Sequence, residues 1–288
     1  IGHSDVQTRR VSEVFAGSSA DLARPDGEKM IFCNLGSGSK GNCTYLHGES
    51  GAILIDQGFS LKNLTERMQS ANLSPKEVTA IVVSHEHSDH IKGIGVFARH
   101  FQIPVFCTEL THRAIPADII RKVQIVTFTA GDILEIDDIR LKTFTTPHDA
   151  ADPIGFVAES GNIRIAVLTD LGTVNQSVLH HLSDLDLLFL ESNHDMWMLM
   201  NGPYPLYLKH RIKGRVGHLS NEQSLDLFNR IKMNGRFRHL ILGHLSEINN
   251  DPAKVMELFE GGIVPKLRDR NILIEIANQH QPGNVHFL

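Results

Sequence analysis

The stretch "IVVSHEHSDHIKG", residues 81–93, decides how this chain is read. Ile81, Val82 and Val83 form an apolar, β-branched run, and His85, His87, Asp89 and His90 follow directly. Imidazoles and carboxylates are costly to desolvate, and protonated imidazoles repel one another. Crowding them at a strand end makes sense when they share something positively charged. At the end of a strand, residues two apart project to the same side, so His85 and His87 can face one ion. The chain then turns at Ser88, which suits the N-cap of a following helix. Asp89 and His90, in that helix's first turn, can face a second ion. Neutral imidazole with carboxylate suits zinc, and imidazole with oxygen ligands also suits manganese or iron. A polar loop with surface histidines is the alternative. It leaves the order H-x-H-x-D-H, straight after a strand, without a cause.

Working outward, three more ligand-type residues stand where apolar runs end. "TFTTPHDAADPIGF" (143–156) presents His148, "AVLTDLG" (166–172) presents Asp170, and "LILGHLS" (240–246) presents His244. Each alone is an ordinary turn residue. Together with residues 85–90 they can converge on one rim and hold two metal ions.

Short β-branched runs bounded by Gly, Asp or Pro read as strands. They fall at 30–36, 42–48, 51–58, 79–85, 103–109, 123–129, 138–148, 154–160, 163–170, 185–192, 239–244 and 272–277. Helical spacing appears at 60–72, 88–101, 173–182, 204–213, 220–233 and 251–260, with Ser220 as a cap. Early hairpins followed by alternating strand and helix predict an α/β fold of two sheets under outer helices. "GAILIDQG" (51–58) and "IRIAVLTDLG" (163–172) echo one another, each running a strand into Asp-x-Gly.

The composition is that of a globular protein: 288 residues, 41% hydrophobic and 21% charged. No apolar stretch approaches the roughly 18 residues that cross a bilayer, so no membrane role is expected. Residues 1–29 lack the apolar core of a signal peptide. They read as a disordered or vector-derived extension ahead of a domain over 30–288. Cys33, Cys43 and Cys107 form neither a CxxC pair nor a disulfide framework, which points to a reducing cytoplasm. The net charge of −5 argues against a general nucleic-acid binder, yet residues 205–240 hold eight Lys or Arg against two acids.

With its H-x-H-x-D-H core followed by His148, Asp170 and His244, the chain resembles the metallo-β-lactamase-fold hydrolases. That resemblance implies a four-layer αββα sandwich. It implies that His85, His87 and His148 hold metal 1, that Asp89, His90 and His244 hold metal 2, and that Asp170 bridges them. Asp56, ending "AILID", would orient ligands from behind. "LGSGSKGNCTYL" (35–46), "PHDAADPIGF" (147–156), "ESNHDMWML" (191–199), "YPLYLKHRIKGRVGHLSNEQS" (204–224) and "GHLSEINND" (243–251) are similar to the bacterial WalJ/YycJ group. For that group the resemblance implies a 5′-to-3′ exonuclease on double-stranded DNA. His87 is intact where diiron oxygen-reducing members carry glutamate. The segment between Asp170 and His244 is too short for the inserted domain of the β-CASP nucleases.

Two divalent ions, zinc or manganese with iron as a further option, can lower the pKa of a shared water. The bridging hydroxide would then attack a phosphorus or acyl carbon. Asp89 would help orient that nucleophile. His218, in "GRVGHLSN", is a candidate general acid or phosphate ligand, or else a helix-capping residue. His194 is a second candidate, beside Asn193 in "ESNHD". Lys209, Arg211 and Arg215 can grip a nucleic-acid backbone, or form a solvated helix face. Ser37, Ser39 and Asn42 can meet a phosphate from a Gly-rich loop, or serve a tight turn. The partner expected is double-stranded DNA. A small cyclic phosphodiester, a thioester or a lactone is the alternative substrate, and a metal-free interaction module the alternative role.

Overall fold

Strands buried on both faces read as continuous apolar runs, and this chain has many of them. The computed structural model describes residues 8–11, 29–264 and 270–288. One sheet contains β2 (Ile31–Gly36), β3 (Cys43–His47), β4 (Ala52–Ile55), β5 (Val78–Val82), β6 (Val105–Thr108), β7 (Ile125–Phe128) and β15 (His286–Phe287), ordered β15-β2-β3-β4-β5-β6-β7. The other contains β1 (Thr8–Val11), β8 (Ile133–Ile136), β9 (Ile139–Thr145), β10 (Ile154–Ser160), β11 (Ile163–Leu168), β12 (Leu187–Glu191), β13 (His239–Gly243) and β14 (Leu273–Ile276), in that order.

The inner faces of the sheets meet in one apolar layer. Phe32, Ile53, Val82 and Phe106 from one sheet belong to the same cluster as Leu141, Phe156, Val167, Phe189 and Ile241 from the other. Outside the first sheet lie α1 (Leu61–Ser70) and α3 (Ile94–Phe101), packed through Leu64, Met68, Ile94 and Phe97. Outside the second lie α6 (Gln176–His181), α9 (Asn221–Arg230) and α10 (Pro252–Gly262), packed through Val178, Leu227, Phe228, Val255 and Phe259. These are the four layers of the expected αββα sandwich. Ser220 caps α9, its side chain accepting from Gln223 N while the Gln223 side chain reaches back.

Several local expectations differ from the structure. The helix expected over 88–101 is two, α2 (Ser88–Ile91) and α3, separated at Lys92 and Gly93. Gly93 N donates to Gln57 O, and a Cβ on Gly93 would stand 1.8 Å from Phe59 O. Ser88 is the first residue of α2 rather than its cap; His87 takes the cap position without a side-chain capping bond. Short elements also stand where none was expected: β8, β15, α4 (Glu109–Ala114), α5 (Ala117–Ile120) and α7 (Met196–Asn201). Within the extension expected over 1–29, Thr8–Val11 pairs in parallel with Ile133–Ile136. Residues 1–7 and 12–28 lie outside the described ones.

Candidate metal centre

Strands β4, β5, β9, β11, β12 and β13 all point the same way, so the turns after them gather at one rim of the sandwich. Those turns carry the predicted residues. His85 and His87 follow β5, His90 lies in α2, His148 follows β9, Asp170 follows β11, and His244 follows β13 directly. Asp56, Asp170 and His244 turn the chain with φ of 60°, 57° and 56°. That left-handed region is costly for most side chains and easier for Asp, Asn and His. The two Asp-x-Gly echoes are therefore the same strand-ending turn, used once in each sheet.

Four sets of ligand-type atoms converge among the described residues, one of them Asp170, Glu191, His218 and His244. Atoms of His85, His87 and His148 lie within 4.8 Å of one another, as do those of Asp89, His90 and His244, and those of His85, His90 and Asp170. Two nitrogens bound to one tetrahedral zinc stand about 3.3 Å apart, from Zn–N bonds near 2.05 Å. His148 Nε2 and His87 Nδ1 are 3.3 Å apart. Asp170 stands between the groups, Oδ2 3.2 Å from His90 Nε2 and Oδ1 3.5 Å from both His148 Nε2 and His244 Nδ1.

The outer nitrogens of these imidazoles are committed, which fixes the tautomers and turns the inner nitrogens toward the centre. His90 Nδ1 donates to Asp56 Oδ2 at 2.8 Å, and His85 Nδ1 meets Ser84 Oγ at 2.9 Å. Ser84 in turn donates to Asp56 through both N and Oγ. His148 Nδ1 donates to Gly217 O at 2.9 Å. His244 Nδ1 donates to Glu191 Oε1 at 2.8 Å. Asp56 thus braces His90 directly and His85 through Ser84.

The inner atoms tell the complementary story. His85 Nε2, His244 Nε2 and Asp170 Oδ2 are buried without a hydrogen-bond partner. Buried polar atoms are otherwise almost always paired, so three on one centre fit a bound cation. Burial drives His85 well below the usual imidazole range. Burial opposes charge on His90 and His244, yet Asp170 beside both raises them. Burial likewise opposes ionisation of Asp89, but His90 and the nearby His244 imidazole hold it low. Imidazoles set against ionised carboxylates, a negative surrounding that would favour a cation in place of the protons, are the donor set of a divalent metal site.

Glu191 was passed over in the sequence. It ends β12, fully buried, and its carboxylate accepts from His218 Nδ1 and His244 Nδ1 at 2.8 Å and from Leu171 N and Leu219 N. The available signal was a lone carboxylate closing the apolar run "LDLLFLE" (185–191). His218 is half-buried beside Asp170 Oδ1 at 3.6 Å, ahead of the Ser220 cap rather than serving as one. The 215–217 backbone that carries it packs on the Asp170 turn: a Cβ on Gly172 would stand 2.4 Å from Gly217 N.

The remaining predicted contacts divide in two. Ser37 and Asn42 are buried scaffolding: Ser37 Oγ accepts from His244 N, and Asn42 Nδ2 donates to Asp89 Oδ2 at 3.0 Å. Asn193 Nδ2 holds His244 O, while Ser39 is exposed. His194 is wholly buried with neither ring nitrogen partnered, and burial lowers it to about 4. Arg211, on α8 (Leu206–Ile212), pairs with Asp149 at 2.5 Å, and Asp149 is 3.5 Å from His148 Nε2. Lys209 Nζ donates to Met200 O, and Arg215 is exposed.

A family model of the beta-lactamase superfamily domain matches residues 52–245. The chain is similar to Exodeoxyribonuclease YycJ of Bacillus anthracis, 36% identical over 228 residues, which are 77% of this chain and 84% of that protein. It is similar to Exodeoxyribonuclease WalJ of Streptococcus pneumoniae, 35% identical over 220 residues, 75% of this chain and 81% of the relative. Among solved structures, the metallo-beta-lactamase fold protein YhfI of Bacillus subtilis superposes with a TM-score of 0.67 at 14% identity. The match covers 90% of this chain and 99% of that one.

Proposed function

This chain belongs to the beta-lactamase superfamily, in its YycJ/WalJ group of metal-dependent hydrolases, and we propose that it is a two-metal 5′-to-3′ exonuclease on double-stranded DNA. The observation that carries the two-metal reading is the trio of buried, unpartnered inner atoms on His85, His244 and Asp170. The exodeoxyribonuclease names of two relatives at 35% and 36% identity support a nucleic-acid substrate.

In this reading His85, His87 and His148 would hold one divalent ion and Asp89, His90 and His244 the other, with Asp170 placed between the two groups. Zinc and manganese suit the donors best, with iron also compatible. When bound, a pair of such ions supplies an activated water and neutralises charge on the phosphoryl oxygens. Asp89 would orient such a water from the edge of the centre. Asp56 and Glu191 keep His90 and His244 aimed inward. His218, with Nδ1 engaged by Glu191, is free to donate from Nε2 to the departing 3′ oxygen. Arg211 and Arg215 lie outside this centre, where a phosphate backbone would pass. Residues 30–288 act as the hydrolase domain. A cytoplasmic setting suits both the substrate and three buried free cysteines.

One feature favours a smaller substrate: Arg211 is already paired with Asp149, which lessens its pull on a polyanion. A compact cyclic phosphodiester or an ester is the alternative. The test is metal content measured by mass spectrometry, together with cleavage of labelled duplex DNA, for wild type and His87→Ala. About two metals per chain, with cleavage lost in the variant and in chelator, is the expected result. Two metals without cleavage transfers the reading to the small substrate, and full cleavage by His87→Ala overturns the ligand assignment.

A further inference from the structure

Scattered apolar side chains on a surface need no explanation, but a cluster does. Among the described residues, six of the ten large hydrophobics that stand exposed fall between Met196 and Val216: Met196, Trp197, Met200, Leu206, Tyr207 and Val216. Trp197 is 69% exposed and Tyr207 75%. Helix α7 buries one side chain, Leu199, and α8 buries none. On α8, Leu206 and Tyr207 stand open, while Leu208 and Ile212 are half-buried, so the helix presents its first two apolar side chains to something else.

The surroundings say what. From Met196 to Asn221 the chain carries Lys209, Arg211, Lys213 and Arg215 and no Asp or Glu. The patch is thus cationic and aromatic together, the chemistry that receives a polyanion with flat bases. It is also continuous with the metal centre. His148 Nε2 is 3.5 Å from Asp149, Asp149 is 2.5 Å from Arg211, and Tyr207 lies one helical turn before Arg211 on the same face of α8. Lys209 Nζ, donating to Met200 O, ties α7 and its Trp197 to α8. The Asp195 side chain caps α7, and Asp195 N is anchored on Asn249 O, so the helix is held firmly.

We infer that Trp197 and Tyr207 form a stacking surface for unpaired bases of the strand whose end enters the metal centre. The inference rests on the nuclease reading and adds how the strand is engaged. A duplex end must fray before one strand can reach a recessed centre, and bases that have left the duplex need a new stacking partner. Exposed aromatic faces supply one without regard to base identity. Lys213 and Arg215 would meet the phosphates between those bases.

Trp197 is the single tryptophan of the chain, so fluorescence excited selectively at tryptophan reports on this surface. The experiment titrates the metal-loaded full chain with phosphorothioate oligonucleotides that resist hydrolysis, single-stranded or as duplexes with a frayed 5′ end. The expected result is quenching of Trp197, and about tenfold weaker binding by Tyr207→Ala. The salt dependence of that variant's affinity stays unchanged, because stacking releases no counterions. Lys213→Gln with Arg215→Gln, in contrast, lowers the salt slope. Phosphorothioate that is bound, with the unmodified oligonucleotide cut, while Trp197 emission and the Tyr207→Ala affinity stay unchanged overturns the stacking surface and leaves the nuclease reading intact. A blue shift that follows protein concentration without DNA overturns it too, in favour of contact between copies. Failure to bind or cut any oligonucleotide removes the nuclease reading along with it.

Discussion

Glu191 closes β12 with a carboxylate that solvent does not reach, and its partners are two imidazoles and two backbone amides, all donors. Burial would raise such an acid, yet His218 and His244 hold it at about 2. It is the one group that fixes both a proposed ligand and the proposed acid. Glu191→Gln keeps the shape but replaces an acceptor with an amide donor. That NH2 would face either the imidazole N–H groups or the amides of Leu171 and Leu219. The expected outcome is metal affinity weaker by about 10–100-fold, read by chelator competition. Unchanged affinity would show that His244 needs no such support. The seven proposed ligands were legible because each stands as a polar exception at the end of an apolar run. Glu191 looks the same in kind, but it sits inside a strand reading, where a single acid passes for an ordinary boundary. Ser37, Asn42 and Asn193 were legible as residues of the site but not in their duty, since only the fold reveals which backbone they hold.

Among the elements, long strands and periodic helices could be read directly, because burial on one or both faces imposes a pattern that survives without neighbours. Short ones could not. Helices α4, α5 and α7 have six residues or fewer and carry too few turns to show a period. Strand β8 merges with β9 in a single β-branched run. The turn between them is set by Asp137, at φ 52°, and by Asp138. Asp138 accepts from Glu49 N, Ser50 N, Ser50 Oγ and Ser160 Oγ, joining the β3–β4 turn of one sheet to β10 of the other. This junction lies at the end of the sandwich opposite the metal centre. Burial opposes the Asp138 charge, but the Ser160 and Ser50 hydrogen bonds bring its pKa below the usual carboxylate range. Stability from this group is therefore fully present above the unfolded value, near pH 3.9. It is lost as pH falls through the lower, folded value. Asp138→Asn is expected to cost about 1–2 kcal/mol at neutral pH by urea unfolding. The gap to wild type should narrow below about pH 4. A gap that holds constant into acid would mean the charge of Asp138 contributes nothing.

For the whole molecule, two sheets that are each interrupted at the same rim solve a packing problem and a chemical one together. The apolar layer between them is built from hydrophobic side chains, and the charged groups of the site stand at the strand ends. There the turns after β4 and β5 from one sheet face those after β9, β11, β12 and β13 from the other. The sandwich could be inferred from hairpins followed by alternation, and more specifically from the resemblance carried by H-x-H-x-D-H. The pairing of Thr8–Val11 with β8 could not, since nothing in a four-residue strand names its partner. The same holds for Trp197 and Tyr207, whose exposure depends on which face of two short helices the fold leaves open. The central claim is that this rim cuts DNA stepwise from a 5′ end. Its most direct test follows blunt duplex, labelled at either the 5′ or the 3′ terminus, with manganese or zinc present. The account predicts that the 5′ label is released first, as a mononucleotide, while the 3′-labelled strand shortens progressively, and that chelator stops both. Release of the 3′ label first, internal cuts, or cleavage that persists in chelator would contradict it.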